Sequence, residues 1–139
     1  MNKRVVDFIF ELKSSCSEKE LNIRDKLKLS PAEFRGLLAM TPKSITPCST
    51  LSKKMGLSIS RGSRVIEKLL KNGYLKEEKS RDDRRVLNVQ LAKKGIKTRE
   101  KISDMLNECE QTILKKMSKS ELENLVRSLV KINDVLISK

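Results

Sequence analysis

The chain contains no histidine and no tryptophan, and its aromatic residues are three phenylalanines and one tyrosine. Without histidine it lacks the commonest general base near neutral pH and a common metal ligand. Its five glycines form neither a phosphate-cradling loop nor a G-x-G-x-x-G run. The cysteines, Cys16, Cys48 and Cys109, are three in number and far apart. With no C-x-x-C pair among them, neither a disulfide framework nor a thiolate metal site is expected. These absences argue against an enzyme and against any metal or cofactor, and they fit a reducing, cytoplasmic setting. No apolar run approaches the ~20 residues that span a bilayer. The opening MNKRVVDFIFELK lacks the long apolar centre and small-residue cleavage site of a signal peptide. No membrane partner is expected.

What the chain has in excess is positive charge. Lysine and arginine number 31 against 18 acidic residues, a net +13 over 139 residues. Such an excess favours a polyanionic partner or an anionic surface. It is also concentrated, because residues 48–95 hold 13 basic and 5 acidic side chains. Length predicts one domain. With 37% hydrophobic and 3% aromatic residues, its core must be aliphatic and small. A thin helical protein can complete such a core by pairing with a second copy.

Hydrophobic spacing predicts the order of elements. Val5, Phe8, Ile9, Leu12, Cys16, Ile23 and Leu27 mark a first amphipathic helix over 5–27. Leu29-Ser30-Pro31-Ala32-Glu33 is a helix start, with Ser30 as cap, Pro31 at the first helical position and Glu33 closing a capping box. That helix is expected to reach about Met40 and to bury Phe34, Leu37 and Leu38. A proline-containing connection follows, with a short extended piece near Ile45. A helix over about 49–55 ends at Gly56, and Ser58 caps a longer one with Val65, Ile66, Leu69 and Leu70 inward. Asn72-Gly73 ends it. The pair forms a helix-turn-helix.

Directly after it stands EEKSRDDRRVLNVQL, Glu77 to Leu91, in which eight of the first nine residues are charged. Leu75 to Lys79 and Val86 to Leu91 read as a hairpin with Leu87, Val89 and Leu91 on one face. Its tip is the charged run. Helical spacing returns with Ile102, Met105, Leu106, Cys109, Ile113 and Met117. Ser118 to Glu121 is a second capping box, opening a helix whose seam is Leu122, Leu125, Leu129, Ile132 and Leu136.

This succession resembles the MarR family of winged helix-turn-helix transcription regulators, most sharply between Leu29 and Gly95. DRRVLNVQLAKKG, Asp83 to Gly95, resembles the family's D-x-R wing tip, second wing strand and following Gly, with Ala92 in place of the usual Thr. LSPAEFRGL and LLKNGYL resemble the helix before the helix-turn-helix and the end of the recognition helix. Two departures stand out. Gly62 replaces an apolar residue inside the recognition helix, at a cost of ~1 kcal/mol relative to Ala. Glu77 and Glu78 occupy a strand that often carries a basic residue. The resemblance implies a mainly α fold with a small β-hairpin wing in a single domain over 1–139. The winged part would span about 30–95, and the helices of about 1–28 and 96–139 would form a homodimer.

The candidate DNA contacts follow. In a helix-turn-helix the N-terminal part of the second helix enters the major groove. Ser60, Arg61, Ser63, Arg64 and Lys68 lie off its apolar stripe, and Arg can bind guanine O6 and N7 together. Ser49, Thr50, Lys53 and Lys54 are expected to contact phosphates. By resemblance Arg85 enters the minor groove, oriented by Asp83, while Arg81 and Arg84 add phosphate contacts. The expected dimer seam comprises Val5, Phe8, Ile9 and Leu12 with Leu122, Leu125, Leu129, Ile132 and Leu136.

The function expected is a sequence-specific regulator, acting as a ligand-responsive repressor on double-stranded DNA with a pseudo-palindromic operator. The family implies a small aromatic or phenolic effector. Cys16 and Cys109, on apolar stripes, read as buried small hydrophobes. Cys48, near a helix start where a thiol pKa can fall, opens a second reading as a redox-responsive regulator. A sequence-indifferent architectural DNA-binding protein, or a winged-helix module that binds protein, is the remaining alternative. Base-pair discrimination at constant salt separates these.

Overall fold

A computed structural model describes residues 2–79 and 86–138. Contacts divide the chain into two compact units, Met1–Ile102 and Ser103–Lys139. The first holds α1 (Val5–Leu27), α2 (Pro31–Ala39), β1 (Thr46–Pro47), α3 (Cys48–Lys54), α4 (Ile59–Lys71), β2 (Leu75–Lys79) and β3 (Leu87–Leu91). Helix α5 (Lys93–Lys116) begins in the first unit and ends in the second, which also contains α6 (Lys119–Ile137).

Local chemistry sets most of the helix boundaries. Ser30 and Glu33 form the expected capping box, each side chain taking the other's backbone N–H at 3.1 Å. Ser118 and Glu121 repeat it at 3.2 and 3.0 Å. The bonded amide holds the Glu121 carboxyl below its ordinary pKa, because a hydrogen bond to the charged form favours that form. Helix α1 begins without a hydroxyl cap. The Arg4 amide donates to Asp7 at 2.8 Å and its guanidinium grips both carboxylate oxygens, which lowers the Asp7 pKa through the side chain first and the amide second. Lys28 ends α1 in the left-handed region at φ 58°, and Leu29 N–H donates to Arg24 O at 2.9 Å, a Schellman-type closure.

The core of the first unit is aliphatic. Leu37, Met40, Leu51, Leu69, Val89 and Ile102 are each 0% exposed, and Phe34 and Tyr74 are the aromatic residues buried with them. Leu38, Val65 and Leu70, expected inside, are only half-buried, at the margins of the buried helix faces. The sheet is antiparallel in the order β1-β3-β2. The hairpin pairs Leu75 with Leu91, Glu77 with Val89 and Lys79 with Leu87. Thr46 and Pro47 add a third strand against Val89 and Asn88. Pro47 is tolerated there because an edge strand leaves its missing N–H unneeded. Alternation along β3 buries Val89 and Leu91, whereas Leu87 is 44% exposed, since the buried face stops before the strand does.

Gly95 has a steric reason. A Cβ there would lie 2.1 Å from the Tyr74 carbonyl oxygen, which also accepts the Ala92 N–H at 3.0 Å. Only glycine lets the start of α5 approach this closely. In the second unit α6 buries no residue. Its predicted seam stays accessible, with Leu122, Leu125 and Ile132 half-covered and Leu129 and Leu136 exposed. On α1, Val5, Phe8 and Leu12 are exposed and Ile9 half-buried. Cys109 is half-buried, but Cys16 is exposed rather than buried. Along α1 full burial is reached at Ile23, the helix's one buried residue.

Candidate nucleic-acid interface

The exposed basic surface is built on the packing of α3 against α4. Leu51 and Ser52 are the buried residues of α3, and Gly62, Ile66 and Leu69 those of α4. The helices touch where Ser52 meets Gly62. A Cβ on Gly62 would stand 1.9 Å from Ser52 Oγ and 2.3 Å from Ser52 Cβ. Gly62 is thus the residue that permits this approach, and its low helix propensity is the cost of close packing. Ser52 is 1% exposed, and its hydroxyl is satisfied by donating to Cys48 O at 2.9 Å.

The turn between the helices is locked by backbone geometry. Gly56 has φ 70°, a conformation that disfavours any side chain, and its N–H donates to Lys53 O at 2.9 Å. Leu57 N–H donates to Ser52 O at 3.0 Å. Arg35 of α2 reaches Met55 O at 3.4 Å, tying the preceding helix to the same turn. Ser58 caps α4 by accepting Arg61 N–H at 3.2 Å. At the other end Lys94 donates to Asn72 O at 2.8 Å and lies 4.5 Å over the Tyr74 ring, so α4 is held at both termini.

This packing leaves one face of each helix outward. Ser60, Arg61, Ser63, Arg64 and Lys68 of α4 are all exposed, as are Ser49, Thr50, Lys53 and Lys54 of α3. The expected contact residues of the two helices therefore sit on accessible faces of two helices packed together. Among the described residues, the ion pairs found are Lys3–Glu11, Arg4–Asp7 and Arg24–Glu20, all in or beside α1. The cations of α3 and α4 are not neutralised by them. Arg81, Asp83, Arg84 and Arg85 of the wing tip lie outside the described residues.

Two features depart from the sequence reading. Cys48 begins α3, yet its thiol pKa is pushed up by burial and then by the Glu77 carboxylate. Its position at a helix start does not outweigh desolvation, so the low-pKa premise of the redox reading is reversed. The sequence reading also passed over Ile59, which begins α4 and is 67% exposed. Its one signal was an apolar residue directly after a capping serine.

Among the described residues no helix is long and apolar enough to cross a membrane, and no group of three or more His, Cys, Asp or Glu could hold a metal ion.

Known proteins share this architecture. Residues 29–87 match the MarR family model. The uncharacterized HTH-type transcriptional regulator YfiV of Bacillus subtilis (strain 168) is 31% identical over 72 residues. That stretch is 52% of this chain and 45% of the relative, so the chain spans less than half of that relative's length. Among solved structures, Streptococcus pneumoniae FabT in complex with DNA has a TM-score of 0.84 at 20% identity, covering 96% of this chain and 95% of its own. A mutant of S. aureus MepR gives a TM-score of 0.81 at 17% identity, covering 96% and 99%. At such identities the two structures speak to fold, and the family match speaks to the segment from α2 to the wing. With α2, the helix-turn-helix and β2 inside that match and a similar fold carried over nearly the whole length, this part of the chain is similar to the MarR family.

Proposed function

We propose that the chain regulates transcription as a homodimer that reads a pseudo-palindromic operator through α4. The observation that carries this reading is the outward face of α4, where Ser60, Arg61, Ser63, Arg64 and Lys68 are exposed together. A helix held at both ends, with its inner face buried and its outer face polar and cationic, is suited to a groove lined by phosphates. Ser49, Thr50, Lys53 and Lys54 on α3 would contact the phosphates and fix the register. Arg61 and Arg64 would reach base edges. The wing arginines Arg81, Arg84 and Arg85, with Asp83 aiming Arg85, complete the set by family resemblance. FabT, which shares the fold, was solved in complex with DNA, and this supports DNA as the partner here.

The second copy is supported by accessible apolar surface. Val5 is 72% exposed, Phe8 56%, Leu129 44% and Leu136 66%, more large apolar surface than a monomer commonly leaves to water. Two copies related by a two-fold axis would present two α4 helices to major grooves about 34 Å apart. Release by a small aromatic or phenolic effector is the family's implication. Loss of operator binding on adding such compounds tests it.

The deciding experiment selects binding sites from random DNA with the full chain. An inverted repeat should be enriched, bound by a dimer in sedimentation at micromolar concentration. Leu129→Glu should abolish both dimerisation and tight binding, because it puts a charge into the seam. Equal affinity for all DNA at constant salt would replace this reading with an architectural role, and no DNA binding at all would favour a protein-interaction module.

A further inference from the structure

Ile59 is the first residue of α4 and is 67% exposed. The apolar residues further along the helix behave differently, with Ile66 at 1% and Leu69 at 0%. Seven residues apart, Ile59 and Ile66 fall on nearly the same side of a 3.6-residue helix. The contact between α3 and α4 is at Ser52 and Gly62, nearly one turn beyond Ile59. The inner stripe therefore overruns the core by a turn, and its last side chain projects from the helix start. A hydrophobic staple does not account for it. That motif joins the residue before the cap to the fourth helical position, here Leu57 and Gly62. Four residues on, Ser63 is exposed and lies about 40° from Ile59 around the helix, so Ile59 stands where the inner stripe borders the outward face.

We infer that Ile59 is a specificity-determining residue that packs against the C5-methyl group of a thymine in the major groove. The inference rests on the reading of α4 as the recognition helix. The start of such a helix is the part that goes deepest into the groove. A sec-butyl side chain has no donor or acceptor, so it cannot read the hydrogen-bonding pattern of a base edge. Of the unmodified base pairs, only those with thymine present an apolar group there. The side chain is β-branched and stiff at χ1, so little rotamer freedom is lost when it is fixed against a methyl. Arg61 and Arg64 would select guanine while Ile59 selects thymine at a neighbouring step.

The test uses the full chain and the site it selects from random DNA. Each thymine in turn is replaced by deoxyuridine, which removes one methyl and nothing else, and affinities are measured for wild type, Ile59→Val and Ile59→Ala. At one thymine per half-site, deoxyuridine should weaken wild type about fourfold, the equivalent of ~0.8 kcal/mol for one buried methyl. Ile59→Val should keep most of that effect and Ile59→Ala should lose it. Because the side chain is exposed, both variants should unfold at the wild-type temperature. If deoxyuridine costs wild type and Ile59→Ala equally at every thymine, or if the site has no thymine in the major groove facing the protein, Ile59 reads no methyl and the inference is wrong while the regulator stands. If wild type enriches no sequence at all, the reading of α4 fails and the inference fails with it.

Discussion

Gly62→Ala reverses an ordinary expectation. In an exposed helix interior, replacing glycine by alanine stabilises by ~1 kcal/mol. Here the new methyl would meet Ser52 Oγ at 1.9 Å, Ser52 Cβ at 2.3 Å and Ser52 Cα at 3.1 Å. Rotating the serine relieves the first contact only, because its Cβ and Cα are fixed by the α3 backbone. Relief requires α3 and α4 to move apart by roughly 1 Å in a close-packed interior. Overpacking costs ~1–3 kcal/mol; a 2.3 Å approach to a Cβ fixed by the backbone belongs in the upper part of that range, ~2–3 kcal/mol, and subtracting the propensity gain of ~1 kcal/mol leaves a net loss of ~1–2 kcal/mol. For a chain of this size that is a fall of about 3–7 °C in Tm.

Thermal unfolding at a fixed protein concentration measures it, since the proposed dimer would make Tm concentration-dependent. The double variant Gly62→Ala with Ser52→Gly removes the opposing Cβ and should recover much of the loss. Operator affinity should fall in the single variant beyond what lost stability explains, because α4 would shift against α3, whose Ser49, Thr50, Lys53 and Lys54 are proposed to contact phosphates. A single variant with an unchanged or higher Tm would show that the helices are not in contact at this point, and the account of the glycine would be wrong.

Arg61→Ala or Arg64→Ala should cost ~1–3 kcal/mol in binding and relax preference at one symmetric pair of positions; uniform weakening over all sequences in a binding titration would assign both to phosphates. Arg85→Ala should weaken operators with A·T-rich flanks more than those with G·C-rich flanks, and Asp83→Ala should imitate it in part. Tighter binding by Asp83→Ala with unchanged flank preference would refute the aiming role. Cys48, whose thiol pKa is raised by burial and Glu77, should be alkylated by iodoacetamide at neutral pH more slowly than a free thiol. Rapid alkylation, or a peroxide response lost in Cys48→Ser, would revive the redox reading.

Several elements were determined by the sequence alone, and they share a cause: the decisive interactions span only a few residues. The capping boxes at Ser30 and Ser118, the Gly56 turn and the stop after Asn72 are local, so residue type and spacing are enough to place α2, α3, α4 and α6. The wing strands were legible because alternation from Leu87 to Leu91 matches the two-residue period of a strand, and the exposed face of α4 because helical period separates it from Ile66 and Leu69. Tertiary structure decided the rest. Two residues carry no period, so the pairing of Thr46 with Val89 had to be seen. Gly62 looked like a defect because its partner, Ser52, lies in the preceding helix and only their packing brings them together. Cys16 sits on an apolar stripe, yet it is exposed, because periodicity says which face is apolar and not whether anything covers it. Cys48 combined a helix start with burial beside Glu77, and which effect wins depends on the third dimension. Ile59 is the same lesson from the other side, since it shares a helix side with Ile66 yet the point where α3 meets α4 leaves it exposed.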